Sequence, residues 1–178
     1  MENKLNLLRI FVALPISDKF SEFILKIQKE FMNFPARWIK KENLHITLVP
    51  PWYENNIDSI KQKLQKLENQ IASFKIKFNL IESGPNKNFP RLIWMIGETS
   101  QEILNLRLKL YTVLNFKMEQ KEFKIHLTIA RFKETNKNLN KIYKNIFWEE
   151  NFSQFILMKS NLLKSGAEYE ILQKINLK

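Results

Sequence analysis

The spacing of hydrophobic and polar positions changes repeatedly along this chain, and each change marks an element. Residues 7–14 (LLRIFVAL) are dense in β-formers and stop at Pro15, the pattern of a buried strand. Ser17-Asp18 then offers an N-cap, and Phe20, Phe23, Ile24, Ile27 and Phe31 recur at helical spacing. This predicts an amphipathic helix to about Asn33, stopped by Pro35. Trp38-Ile39 is a short extended piece and Glu42-Asn43 a turn. The strand that follows should end at Pro50-Pro51. Residues 56–72 carry Ile57, Ile60, Leu64, Leu67 and Ile71 among lysines and glutamines, predicting a second amphipathic helix.

Residues 74–81 (FKIKFNLI) alternate like a strand with one wet face, and residues 84–88 form a loop. The nearly continuous apolar run over 91–97 predicts a central strand, and residues 101–114 a third helix. A charged connector, 117–124, leads into a strand over 125–132. The polar stretch 133–145 is expected to pass into a short helix at 139–146. Residues 152–163 and 169–177 read as an antiparallel pair around Ser165-Gly166. The order β-α-β-α-β-β-α-β-(α)-β-β is an α+β plan with an approximate internal duplication. Linker-like composition is absent, so the two halves should pack against each other.

One frame occurs in both halves. Leu44-His45-Ile46-Thr47-Leu48 returns 81 residues later as Ile125-His126-Leu127-Thr128-Ile129. Alternation of this kind sends histidine and threonine to one face of a strand and the aliphatics to the other. These are the only two histidines in 178 residues, so their matched frames point to joint chemistry rather than separate structural roles. Near neutral pH an imidazole serves as either acid or base, given its reference pKa of about 6.5. If the halves face each other, two imidazoles flank one cleft and each threonine supplies a hydroxyl donor between them. A zinc site needs three or four ligands, whereas His-x-Thr provides one per strand. With only three glycines there is no phosphate-cradling loop, and Ser165-Gly166 lacks the frame of a serine nucleophile. Acid–base phosphoryl chemistry without metal or cofactor fits these residues.

The chain length suits one domain or two packed lobes, and 44% apolar residues are ample for a core. Cysteine is absent, which removes disulfides and thiolate chemistry and fits a reducing compartment; cytoplasm is the expected location. No run approaches the roughly 18 apolar residues of a membrane span, and residues 1–20 read as a first strand, not a signal peptide. The net charge of +11 favours a polyanionic partner, although the abundance of lysine, asparagine and isoleucine also suits an AT-rich genome. The charge is spread along the chain, with 14 basic and 9 acidic side chains in residues 1–89 and 15 and 9 in residues 90–178.

Taken together, both His-x-Thr frames, residues 9–14 (RIFVAL), Glu42-Asn43-Leu44, residues 90–94 (PRLIW), Ala130-Arg131, and Ser160 to Leu163 with Tyr169 resemble the two-histidine phosphoesterases. The likeness is to bacterial and archaeal RNA 2',3'-cyclic phosphodiesterases, also called 2'-5' RNA ligases. It covers essentially the whole chain, and Val49-Pro50-Pro51-Trp52 departs from it where many relatives continue with an apolar-Gly segment. The resemblance implies one bilobal catalytic domain over 1–178, with two antiparallel sheets lining a central cleft, helices outside, and one motif per half at 45–48 and 126–129. It implies metal-independent hydrolysis of a 2',3'-cyclic phosphate RNA end to a 2'-phosphomonoester by a monomer, with His45 as proton donor and His126 as acceptor. Alternatives on the same fold are 2'-5' ligation, with tRNA fragments as substrates, and non-catalytic binding of RNA or nucleotide. Thr47 and Thr128 complete the catalytic set. Arg131 is a candidate for substrate binding, but strand parity places it opposite His126 unless a bulge or the strand's end turns it round. Phe11 is a candidate stacking platform for a base; otherwise it is an ordinary core phenylalanine.

Overall fold

The computed structural model describes residues 7–133, 142–163 and 166–178. Strand β1 (Leu8–Pro15) leads into helix α1 (Asp18–Glu30), whose first turn is capped by Ser17 Oγ accepting from the Phe20 amide at 3.1 Å. After the short strand β2 (Ala36–Trp38) and a 3-10 turn at Lys41–Asn43 comes β3 (His45–Glu54). Helix α2 (Ile57–Gln65) is capped by Asn56, whose side chain accepts from the Ser59 amide at 3.0 Å. Strands β4 (Phe74–Gly84) and β5 (Leu92–Gly97), helix α3 (Gln101–Leu114) and β6 (His126–Phe132) follow. The chain closes with β7 (Tyr143–Phe152), β8 (Gln154–Leu163) and β9 (Gly166–Asn176).

The strands form two antiparallel sheets, one ordered β3-β1-β8-β9 and the other β2-β6-β5-β4-β7. Helix α1 covers the outer face of the second sheet. There Phe20 packs 5.0 Å from Phe78 and stacks on Trp148 at 5.2 Å, while Phe23 stacks on the same indole at 4.7 Å. Truncating a buried phenylalanine such as Phe20 costs about 3–5 kcal/mol. Helices α2 and α3 pack against each other and onto the first sheet. The observed architecture is therefore α+β, with helices outside two sheets, as expected. The third helix has the expected bounds, whereas α2 stops at Gln65; Leu67 and Ile71 are still buried through a turn in which Asn69 adopts φ 56°, a conformation asparagine tolerates.

Two expectations fail. Pro50-Pro51 does not end its strand: β3 runs on to Glu54. Between the pairs Ile10↔Trp52 and Val12↔Val49 one residue of β1, Phe11, faces both prolines, so the pair forms a bulge. Since β3 is an edge strand, missing amide hydrogens are tolerated there. The helix expected over 139–146 begins outside the described residues, and from Tyr143 onward the chain is β7, an edge strand paired with β4. Its Ile146 and Trp148 pack inward while Tyr143 and Phe147 are exposed, which hides the alternation from a hydrophobicity count.

Candidate active site

Strands β3 and β6 come from different sheets and lie against each other, and both carry their motif into one cavity. The repeat extends to the backbone irregularities. In β3 the pairing with β1 runs Val12↔Val49 and then Ala13↔Thr47, leaving Leu48 as an extra residue. In β6 the pairing with β5 runs Ile93↔Ala130 and then Trp94↔Thr128, leaving Ile129 extra. Each His-x-Thr is thus followed at once by a bulge, which bends the strand and shifts its parity.

The two imidazoles are held alike. His45 Nδ1 lies 2.8 Å from the carbonyl oxygen of Asn43, and His126 Nδ1 lies 2.9 Å from that of Lys124. A carbonyl oxygen only accepts, so each Nδ1 carries the hydrogen and each neutral ring keeps its lone pair on Nε2. Aromatic neighbours brace both rings: Phe11 and Tyr169 have centroids 5.0 and 5.1 Å from His45, and Trp94 lies 4.9 Å from His126. Both histidines, both threonines and Arg131 line a cavity of about 450 Å³, within the size range of small-molecule sites. Its rim adds Arg37, Lys40, Glu42, Glu168 and Tyr169.

Burial is the largest influence on both histidines and disfavours the imidazolium, pulling His45 down to about 4 and lowering His126 as well. The backbone bonds at Nδ1 partly oppose this, while the nearby Arg131 charge lowers both further. At neutral pH the cavity thus holds two neutral imidazoles beside the guanidinium of Arg131.

The family model of the 2'-5' RNA ligase superfamily matches residues 16–158. The chain belongs to that superfamily. An RNA 2',3'-cyclic phosphodiesterase of Methanocaldococcus jannaschii is 32% identical over 177 residues, spanning 94% of this chain and 99% of the relative. One of Archaeoglobus fulgidus is 30% identical over 179 residues, spanning 93% and 98%. Among solved structures, TT0787 of Thermus thermophilus superposes with a TM-score of 0.78 at 21% identity, covering 94% of this chain and 97% of that one. E. coli LigT complexed with 3'-AMP also gives 0.78, at 16% identity and 97% and 99% coverage. These two structures establish the likeness of fold.

In this member of the superfamily the structure relocates two residues singled out from the sequence. Counting alternate residues from His126 puts Arg131 on the far face, but the bulge at Ile129 shifts the count by one and Arg131 lines the cavity. Phe11 does not line the cavity: it is 1% exposed, clustered with Ala13, Ile156 and Met158 behind His45, so it braces the imidazole and is closed to a base. The 81-residue offset that relates the motifs maps Arg131 onto Pro50, so only one half brings a guanidinium to this position. Sequence reasoning misses Arg37, Tyr169 and Trp94 as site residues. Arg37 reaches the cavity through β2, whose pairing with β6 is long-range, and nothing local in the sequence marks it.

Proposed function

We propose that this chain is a single bilobal RNA 2',3'-cyclic phosphodiesterase, converting the cyclic phosphate at an RNA end to a 2'-phosphomonoester with a free 3' hydroxyl. The observation that carries this reading is the matched pair of Nδ1–carbonyl bonds at His45 and His126, which leaves two Nε2 atoms of like chemistry at one cavity. In-line displacement at phosphorus needs one base and one acid on opposite sides of the phosphate. His126 Nε2 takes a proton from water as its oxygen bonds to phosphorus; the bond to O3' breaks, and protonated His45 returns a proton to that oxygen. The hydroxyls of Thr47 and Thr128 donate to the non-bridging oxygens, and Arg131 with Arg37 attracts the phosphates of the RNA. Burial lowers His45 to about 4, and a negative phosphate beside the ring favours the imidazolium that the acid role requires. The names of the relatives that align along almost the entire chain support the same substrate class.

The test is incubation of purified protein in EDTA with an oligonucleotide ending in a 2',3'-cyclic phosphate, followed by mapping of the terminal phosphate. A 2'-phosphate is expected. A 3'-phosphate would mean that the wrong ester bond has been assigned to break. No conversion at any salt or pH would reduce the cavity to a nucleotide-binding site, and joining to an added 5'-hydroxyl strand would favour ligation.

A further inference from the structure

Two buried polar side chains on the helices reach the bulges beside the histidines, and they do so crosswise. Helix α3, which leads to the second motif, carries Arg107, 3% exposed; its Nε donates to the carbonyl of Leu48, the extra residue of β3 in the first half, at 2.9 Å. Helix α1, which precedes the first motif, carries Gln28, 7% exposed; its Nε2 donates to the carbonyl of Ile129, the extra residue of β6 in the second half, at 3.0 Å. Gln28 Nε2 also donates to the Ile39 carbonyl at 2.9 Å, so both amide hydrogens are used, and the Ile39 amide donates to the same Ile129 oxygen at 3.0 Å. The bulge residues are 81 positions apart and their buried donors 79, so the contact itself is repeated with the duplication.

Such donors fix the bulges in place. A bulged residue stands outside the regular ladder, and its carbonyl, buried under a helix, costs about 1–3 kcal/mol if unsatisfied. At Ile129 the Ile39 amide already satisfies the carbonyl, and the Gln28 amide adds a second donor that ties helix α1 to the bulge. At Leu48 the donor is a guanidinium, whose burial is compensated by the Phe123 ring 3.8 Å from Cζ, Tyr111 Oη at 3.2 Å and Glu119 at 3.7 Å.

We propose that Gln28 and Arg107 are crossed positioning residues: each half's helix sets the bulge of the other half's motif strand, and thereby the aim of that strand's histidine and threonine at the phosphate. The two halves of the site are then aligned by their helices before any substrate binds. The effect on turnover rests on the phosphodiesterase reading; the effect on the imidazoles does not.

The test reads the imidazoles directly. With only two histidines, side-chain 1H–15N spectra resolve each Nδ1–H and its titration. In folded protein, Gln28→Met should shift the signals and midpoint of His126 and leave those of His45 in place; Arg107→Met should do the reverse. On cyclic-phosphate RNA each should lower kcat by about 10- to 100-fold with KM little changed, since a misplacement of about 1 Å costs about 10²-fold. Arg107→Lys, which keeps a donor for Leu48, should recover part of the loss, and it replaces Arg107→Met if that variant does not fold. Signals of both histidines unchanged, both disturbed equally, or each helix disturbing the histidine of its own half would overturn the proposal whether or not the RNA is a substrate.

Discussion

Arg37 and Arg131 lie directly opposite each other across β2 and β6, and both line the cavity that holds the histidines. Like charges in this register repel by a few tenths to about 1 kcal/mol, a cost that, on the proposed function, a phosphate bound between them reverses. Arg131→Gln should therefore weaken RNA binding, raise KM about tenfold and reduce its salt dependence by about one phosphate contact. Because Arg131 also lowers both histidines, the same variant should move the pH optimum upward. Urea denaturation should find it no less stable than the parent. A variant with unchanged KM, salt slope and pH optimum would remove Arg131 from the site.

His45 makes stability depend on pH with a definite sign. Its pKa of about 4 in the folded chain lies below the unfolded value of about 6.5, so between these values the unfolded chain binds a proton that the native chain refuses. Stability should fall as pH drops from about 6.5 to about 4, by up to about 3 kcal/mol at about 1.36 kcal/mol per unit, and His126 adds in the same direction. Urea titrations at pH 7, 6 and 5 should show a shallower loss for His45→Gln than for the parent. Parallel curves would mean that the imidazole is solvated in the native cavity.

The two motifs are legible in the sequence because an alternating strand shows its period in five residues, and α3 because Ile103, Leu106 and Leu110 recur at helical spacing. What escapes depends on partners far along the chain. Parity counted through Ile129 misassigns Arg131, since a bulge exists only relative to the neighbouring strand. Pro50-Pro51 reads as a stop, whereas β3 is an edge strand that tolerates both prolines. Strand β7 is hidden because its exposed face carries Tyr143 and Phe147.

Thr47 and Thr128 line the cavity at equivalent places, and on the proposed mechanism their hydroxyls donate to the phosphate oxygens as charge builds there. Removing one such donor costs about 10²–10³ in kcat, or roughly 2.7–4 kcal/mol. Thr→Val keeps the branched shape that a strand favours, so either variant should fold normally and lose kcat with little change in KM. Wild-type turnover in both would reduce the threonines to strand packing.

On the proposed mechanism His45 and His126 divide the acid and base roles. Each proton transfer is worth about 10²–10⁴-fold, so replacing either histidine with alanine should cripple hydrolysis of a cyclic RNA end. A phosphodiester with a nitrophenyl leaving group needs no proton on departure but still needs a base for water. The deciding measurement is kcat/KM of His45→Ala and His126→Ala on both substrates. His45→Ala should recover most of its lost rate on the nitrophenyl ester while His126→Ala remains impaired; recovery in His126→Ala alone would reverse the two assignments, and equal impairment of both variants on both substrates would contradict the division of roles.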